Sequence, residues 1–425
     1  MIDVFLCTLN FQDLNITQGS NTMPKYSKDE YPFLTFDKLE VKPPIDTNSV
    51  TNFDPAIIKQ DAEGTQIVLH PRFPALIEAF LEHKRAHGSQ YEKALYGTPD
   101  SFTWKQEVSR LIDKRPLVFM GGNDYTKLRD GTVPEGMSTD EWDRNGTDEQ
   151  DQNQDLTLEH YLSYDEIMLG SLIGVSGHSY FINDGNRYNE GERRPAGSFE
   201  PRGIIIGLVG ARFERTDRMD SVHILPSKKK PHQDPRLSKI IQEWFGEPKN
   251  DLTYFDVKMY KARMRITIDV LLLEANARAS EAKKTAYTYV VGLGLGVWQR
   301  QPEQAMYYID TFVPALEELS LPWISTLEFA WINAPQQSQD AVRNAAAKQE
   351  IDVNFSKRNP AEKLDSGELL VLSYAWDGNA FPGNEYWSYS LCGSGDPAAA
   401  CMSTIGELHN PLVNPYTERI KVLGR

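Results

Sequence analysis

Five side chains near the C-terminal end of the chain are of the types that hold a sugar and activate water. They lie in the run YAWDGNAFPGNEYW and in the later run SGDP, and are Asp377, Asn379, Asn384, Glu385 and Asp396. Carboxylates in such loops bind ribose hydroxyls, act as a general base or hold a hard divalent ion. The alternative is an ordered turn in which Asp and Asn cap the backbone. Clustered Trp and Tyr favour the functional interpretation, because aromatic rings can stack on a base.

A glycine-rich loop forms the second candidate site. Gly292, Gly294 and Gly296 alternate with Leu293 and Leu295, and Val297 and Trp298 follow. Main-chain N–H groups in such a turn, together with a helix start near Pro302, suit a diphosphate. A dinucleotide fingerprint would need glycine at position 297 or 299, so a dehydrogenase is disfavoured. A turn used only for close packing remains an equal alternative.

Two adjacent carboxylates, Asp165 and Glu166, form the third candidate. They lie in a predicted helix over 157–172. Acidic residues at a helix start complement the helix dipole, and taken alone this structural role is favoured. Asn123, in the loop after Gly121 and Gly122, completes the set of residues expected to contact a ligand.

Strands that alternate with helices must position these residues. Apolar residues at helical spacing predict helices, and short β-branched or aromatic runs predict strands. The predicted helices are 73–87, 102–113, 157–172, 254–279 and one near Pro302 that ends or kinks at Pro314; the predicted strands are 116–120, 179–182, 203–209, 286–291, 324–332 and 368–375. This order predicts an α/β layered fold.

Composition predicts two regions and one unusual insertion. An extended and helical segment is expected over 1–100, and the ligand-binding domain over 101–425. The stretch 124–155 is rich in Asp, Glu, Asn, Gln and Gly, and is typical of either a disordered insertion or a mobile lid.

Net charge bears on the class of partner, and cysteine content bears on the cellular compartment. The net charge of −15 disfavours nucleic acid, since phosphate backbones need clustered basic residues, and the run Lys228–Lys230 is expected to be a solvated loop. Three cysteines without ligand spacing indicate a reducing compartment. The start of the chain lacks a secretory pattern, and no apolar run is long enough for a membrane span. A soluble, cytoplasmic protein is predicted, or one delivered to a host cytosol if it is an effector.

The order of several motifs resembles known ADP-ribose-binding families. Asp165-Glu166-Ile167, Asn186-Arg187-Tyr188, Phe199 and Gly203 resemble elements of the poly(ADP-ribose) glycohydrolases. The resemblance to the MavL-like group of macrodomains is more specific and covers roughly residues 117–415. It is carried by the runs GLVGARF (207–213), VGLGLGVWQ (291–299), AWDGN (375–379) and SGDPAAA (394–400).

This resemblance implies a macrodomain, a mixed twisted sheet packed between helices that binds ADP-ribose at its strand ends. Gly294 to Val297 would then cradle the diphosphate. Two carboxylate sets compete for the catalytic role. Asp165 and Glu166 match the glycohydrolase position, although Tyr164 replaces its glutamine, and the set Asp377, Glu385 and Asp396 matches the acidic loop of the MavL-like group.

The implied activity is hydrolysis of an ADP-ribosyl bond on a modified protein, for which ubiquitin is a candidate. No cofactor is expected to be required, and a divalent metal is compatible with the carboxylates. Two alternatives remain: a module that binds ADP-ribose without cleaving it, and a scaffold whose acidic insertion recruits a partner.

Overall fold

The structure is a computed structural model that describes residues 25–135, 138–226, 231–250 and 253–424. The run Lys228–Lys230 lies outside the described residues, as does the start of the chain. The strands are β1 Gln66–Leu69, β2 Val118–Met120, β3 Tyr125–Lys127, β4 Gly174–Tyr180, β5 Arg202–Leu208, β6 Ala286–Val290, β7 Ile324–Ala330, β8 Asp352–Ser356, β9 Leu369–Ala375 and β10 Ile420–Val422.

Helices surround these strands. They are α1 Pro55–Gly64, α2 Phe73–His87, α3 Gln90–Tyr96, α4 Trp104–Asp113, α5 Ser138–Arg144, α6 Tyr164–Gly170, α7 Ser221–Ile224, α8 Pro235–Phe245, α9 Val257–Ala282, α10 Gln304–Asp310, α11 Phe312–Glu318, α12 Gln336–Ala347, α13 Asn384–Trp387, α14 Gly395–Met402 and α15 Ile405–Leu408. Short 3-10 helices occupy Lys28–Glu30, Phe36–Lys38, Val50–Asn52 and Gln150–Gln152.

Eight strands form one mixed sheet in the order β10-β1-β4-β5-β9-β6-β7-β8. Strands β5, β9, β6, β7 and β8 are parallel, whereas β4 runs antiparallel to both β1 and β5. The carboxyl ends of β5, β9 and β6 therefore meet at one edge. In sheets of this type that edge is where ligands bind.

Helices cover both faces of this sheet. On β4, the hydroxyl of Ser176 donates to Glu274 of α9 at 2.7 Å. The next residue, Gly177, faces the other side, where an added Cβ would lie 3.4 Å from Nε2 of His409. Because successive side chains of a strand point to opposite faces, α9 and the segment after α15 lie on opposite sides. The predicted α/β class, with a mixed sheet between helices, is confirmed.

The central strands and several helices match the sequence predictions closely. Helix α2 has the predicted bounds, and β5, β6, β7 and β9 fall within a residue or two of theirs. Strand β5 carries Ile204, Ile205 and Ile206, all fully buried, as expected for a parallel strand covered on both faces. The break predicted at Pro314 lies three residues earlier, at Thr311, and Pro314 is in the first turn of α11, where a proline is tolerated.

Other predictions need correction. The predicted helix over 157–172 is reduced to α6, because Ser163 forms a capping box with Glu166 and starts the helix there. The strand expected at 179–182 is the end of β4, which begins at Gly174. The run before Gly121 forms β2, but β2 pairs only with β3 in a separate hairpin.

The acidic stretch 124–155 is folded in its described part. It contains β3, α5 and a 3-10 helix, and it buries Trp142 completely. The indole Nε1 of Trp142 donates to Thr126 at 2.8 Å, and its ring packs edge-on against Phe119. The disordered alternative is therefore wrong for the described part, because buried apolar residues such as Trp142 hold this segment in place. The alternative of a mobile lid stays a prediction.

The N-terminal segment contributes directly to the main sheet. Strand β1 lies between β10 and β4, so residues from both ends of the chain share one core. Ahead of it, Asn48 donates to the carbonyls of Ala400 at 2.6 Å and Ser403 at 3.0 Å. These contacts fix the C-terminal end of α14, the helix that carries Asp396.

Candidate active site

Two loops at the carboxyl edge of the sheet pack backbone against backbone. A Cβ on Gly210, after β5, would lie 2.5 Å from the amide nitrogen of Gly294, after β6. A Cβ on Gly294, whose φ is +72°, would lie 3.0 Å from the carbonyl oxygen of Ala211. Only glycine fits both conditions at Gly294, since positive φ and close backbone approach both exclude a side chain. The glycines therefore bring the two loops together above the end of β9.

The glycine-rich loop leaves several main-chain donors unused. The amides of Leu293 and Leu295 close tight turns onto Val291 at 2.9 Å and Gly292 at 3.1 Å. Four further amides donate no hydrogen bond to any residue that the structure describes, and they belong to Gly294, Gly296, Val297 and Trp298. Consecutive free N–H groups of this kind form an anion-binding concavity.

Gln304, the first residue of α10, holds this loop in shape. Its Nε2 donates to the carbonyl of Gly294 at 3.2 Å, and its Oε1 accepts from the amide of Arg300 at 2.9 Å. The predicted helix start after the loop is present, but α10 begins at Gln304 rather than at Pro302. The helix supports the loop through this side chain.

Asp377 lies directly after β9, between the two loops. Its Oδ1 accepts from the amides of Asn379 at 2.9 Å and Ala380 at 3.4 Å, and its Oδ2 accepts no hydrogen bond from the described part of the chain. Burial of the carboxyl raises its pKa to about 6; Arg212 opposes this shift and Glu214 adds to it. A carboxylate with a free oxygen and a pKa near neutrality is suited to general base catalysis.

Arg212 is held rigidly beside this carboxylate. Its guanidinium carbon lies 5.3 Å from the ring centre of Phe119 and 5.5 Å from that of Trp298. Its Nε donates to Oε2 of Glu214 at 2.7 Å, and only 4% of its side chain is exposed. Aromatic faces and a carboxylate therefore fix a buried cation at the edge of the sheet.

Unpartnered polar atoms cluster in the same place. Within the described ranges, Nη1 of Arg212, Nε1 of Trp298 and both side-chain polar atoms of Asn379 are buried without a hydrogen-bond partner. Buried polar groups are nearly always satisfied, so such a group needs an explanation. A polar ligand that enters between these loops would satisfy all of them.

Asp396 interacts electrostatically with both Asp377 and Glu385. Asp396 accepts from the amides of Gly383 at 3.1 Å and Asn384 at 2.8 Å, and Ser394 donates to Oε2 of Glu385. Burial, then the charges of Asp377 and Glu385, raise the pKa of Asp396. Burial also raises the pKa of Glu385. The three carboxylates thus form one electrostatic group, in which Asp396 also shapes the loop that leads into α13.

The remaining predicted asparagines occupy different settings. The side-chain amide of Asn384 pairs with the main chain of Phe119, accepting at 2.7 Å and donating at 3.1 Å, so it positions the ring under Arg212. Asn123 is exposed in the turn between β2 and β3. Its neighbour Gly122 approaches the carbonyl of Glu214, which places this turn at the border of the site.

The carboxylates of α6 are used in internal ion pairs. Glu166 accepts from Nε of Arg110 at 2.5 Å and from the amide of Ser163 at 2.6 Å, and its side chain is fully buried. Asp165 accepts from Nζ of Lys84 at 2.6 Å and from Gln233 at 3.0 Å. Both have their own partners, and the arrangement favours the structural role for them.

Sequence reasoning did not single out Arg212, Glu214 or Phe119. A usable signal is present for the first two, because the charged run Arg212 to Arg215 follows directly after the buried strand β5 and its glycine. Polar residues at that position of an α/β sheet lie at the ligand-binding edge. Phe119 gives no such signal, because it reaches the site only through its pairing with Asn384.

Two further features bear on predictions made from the sequence. Among the residues with described coordinates, no group of three or more His, Cys, Asp and Glu side chains is arranged to hold a metal ion. No helix in the described ranges has the length and apolar character needed to cross a membrane. That no cofactor is required, and that a divalent ion is compatible with the carboxylates, both stay predictions.

Comparison with known proteins shows one matching family and two similar proteins. The profile of the family described as ADP-ribosylhydrolase MavL-like matches residues 36–236 and 230–422. ADP-ribosylarginine hydrolase CG3568 of Drosophila melanogaster is 36% identical over 403 residues, which cover 84% of this chain and 77% of that protein. ADP-ribosylarginine hydrolase CG2909 of the same organism is 33% identical over 412 residues, with coverage of 84% and 78%.

Proposed function

Because the chain belongs to the MavL-like ADP-ribosylhydrolase family and is a hydrolase of ADP-ribosyl glycosidic bonds, we propose that it removes ADP-ribose from arginine side chains of proteins. The arginine linkage is the one named for both Drosophila relatives. The observation that carries the mechanism is Asp377, a carboxyl with a pKa of about 6 and one free oxygen, beside a group of unpartnered donors.

The diphosphate binds at the glycine-rich loop. The amides of Gly296, Val297 and Trp298 donate no hydrogen bond to the described residues, and Nη1 of Arg212 and Nε1 of Trp298 are further unpartnered donors. Charge-assisted hydrogen bonds of this kind are about twice as strong as neutral ones. With the diphosphate there, the distal ribose reaches the carboxyl end of β9, where Asp377 and Asn379 lie.

The chemical step is attack of water on the anomeric carbon of that ribose. The bond from this carbon to the arginine nitrogen breaks, and its electron pair stays on the nitrogen to give a neutral guanidine. Asp377 takes a proton from the attacking water, whose oxygen bonds to the anomeric carbon. Transfer of that proton to the guanidine restores the arginine cation, so atoms and charge balance. Carboxylates also stabilise the oxocarbenium-like transition state of glycoside cleavage.

Glu385 and Asp396 support this step from the next loop. Asp396 fixes the amides of Gly383 and Asn384, and its charge and that of Glu385 act on the same region as Asp377. We assign the catalytic proton transfer to Asp377, ribose binding to Glu385 and Asn379, and loop positioning to Asp396. In the rival arrangement Glu166 is the catalytic acid, but its ion pair with Arg110 leaves it no free oxygen.

The sheet with its ligand at the carboxyl edge is consistent with a macrodomain, and we propose that fold relationship. A module that only binds ADP-ribose is less favoured, because both relatives carry the name of a hydrolase. A scaffold built on an acidic insertion is less favoured too, because the described part of 124–155 is folded into the core. Ubiquitin as the modified protein and a cytosolic location remain predictions.

The test is release of free ADP-ribose from peptides that carry the modification on arginine, serine or glutamate. We expect the arginine-linked peptide to be cleaved at least 100-fold faster than the others, and the Asp377→Asn variant to lose this activity. Equal cleavage of all three linkages would refute arginine specificity. Binding of ADP-ribose without release from any peptide would make the protein a reader.

A further inference from the structure

Glu214 is the ion-pair partner of Arg212 and is more exposed than it. Its side chain is 20% exposed, whereas that of Arg212 is 4% exposed. Nε and Nη2 of Arg212 both donate to Oε2 of Glu214, and Oε1 accepts no hydrogen bond from the part of the chain that the structure describes. One carboxylate oxygen is therefore anchored and the other is free.

The hydrogen bonds from Arg212 hold the carboxylate of Glu214 in one position. Arg212 cannot turn away with it, because its guanidinium is packed between Phe119 and Trp298. On the other side, the turn at Gly122 approaches the main chain of Glu214. A preorganised carboxylate binds a cation without losing side-chain entropy on binding.

The free oxygen suits a guanidinium in particular. Asp377 and Glu214 interact electrostatically, so the two carboxylates lie in the same region at the edge of the sheet. A group attached to the anomeric carbon of a ribose bound beside Asp377 would lie near Glu214, which is more exposed than Arg212. A guanidinium presents several N–H donors and a positive charge to such an oxygen, whereas a serine oxygen or an ester carries no charge.

We infer that Glu214 is the specificity-determining residue of the site, and that its free Oε1 receives the guanidinium of the modified arginine. This inference rests on the proposed function, since the group that Glu214 binds is the leaving group of the proposed reaction. The ion pair between Glu214 and the guanidinium forms when the substrate binds. It weakens in the transition state, because positive charge moves from the guanidinium onto the ribose. It therefore acts mainly on substrate binding.

The experiment uses the full chain with Glu214→Gln, which keeps the shape and one acceptor for Arg212. We expect KM for the arginine-linked peptide to rise about 10-fold or more, as for loss of a hydrogen bond to a charged group, with kcat changed much less. The dissociation constant for ADP-ribose, measured by calorimetry, should stay within twofold. Glu317→Gln, at an exposed glutamate that pairs with Lys348, is the matched control and should behave as wild type.

A second titration separates this inference from the proposed function. Agmatine, a free guanidinium compound, is titrated into protein saturated with ADP-ribose, and we expect it to bind the wild type and to lose at least 10-fold in affinity with Glu214→Gln. Equal agmatine affinities would overturn the inference, and so would an ADP-ribose affinity that falls as much as that of the peptide. If the wild type cleaves no arginine linkage, the proposed function fails while this titration still decides the role of Glu214.

Discussion

The guanidinium of Arg212 lies over the ring of Trp298, 5.5 Å from its centre, and each side chain keeps one buried nitrogen without a partner. Arg212 follows β5 and Trp298 follows β6, so the contact joins loops of two strands that β9 separates in the sheet. Asp377 lies two residues after the end of β9 and interacts electrostatically with Arg212. The position of these three residues is the basis for the predictions below.

The first prediction concerns the proton transfer. Asp377→Asn removes the base but keeps the acceptor for the turn amides, so we expect kcat to fall by about 10²–10⁴-fold and the affinity for ADP-ribose to change little. Steady-state kinetics on an arginine-linked peptide and calorimetry measure the two quantities. Asp352→Asn, at the exposed start of β8, is the control. A kcat within threefold of wild type would exclude Asp377 as the base.

The second prediction is a pH dependence. A base must be ionised to act, so with a pKa of about 6 for Asp377 the value of kcat/KM should rise with pH and level off above about 7. The positive charge of Arg212 lowers this pKa, so Arg212→Gln should move the midpoint to higher pH. Because Arg212 also faces the diphosphate, the same variant should bind ADP-ribose more weakly. A midpoint that stays in place or moves to lower pH would contradict the assignment.

The third prediction tests the contact between the two glycine loops. Gly210→Ala places a Cβ 2.5 Å from the amide of Gly294, so the glycine-rich loop must move. We expect the affinity for ADP-ribose to fall at least 10-fold, measured by calorimetry. Gly64→Ala is the matched control, because its Cβ would meet only a side-chain atom of His178 at 3.9 Å. Unchanged binding by the Gly210 variant would place the diphosphate elsewhere.

The fourth prediction separates a structural carboxylate from a catalytic one. Glu166→Ala leaves Arg110 buried without its partner, and breaking a buried pair costs about 3–5 kcal/mol. Urea denaturation should show this loss in the free energy of unfolding. The protein that remains folded should keep a kcat close to that of wild type. A variant of normal stability and no activity would instead support Glu166 as the catalytic group.

Much of this arrangement could be predicted from local sequence. Hydrophobic periodicity located α2, β5, β6, β7 and β9, because burial on both faces of a sheet demands continuous apolar runs. Glycine spacing located the loop at 292–296, and the loop after β9 was recognised from its acidic and amide residues. The secondary-structure predictions failed where the sequence pattern was short or mixed, as at β4 and in the folded segment 124–155.

The sequence by itself determined the strands, the glycine loop and the residue types available for hydrolysis. Only the tertiary structure shows which groups surround Asp377 and Glu166, and these surroundings favour Asp377 for the proposed catalytic role. Glu166 is fully buried in an ion pair with Arg110, whereas Asp377 lies near Arg212 with one oxygen that accepts no hydrogen bond from the described residues. The reason is physical: the pKa and the ion pairs of a carboxyl depend on charged groups that the fold brings close, and Arg110 and Arg212 each lie more than fifty residues away from these carboxylates in the chain.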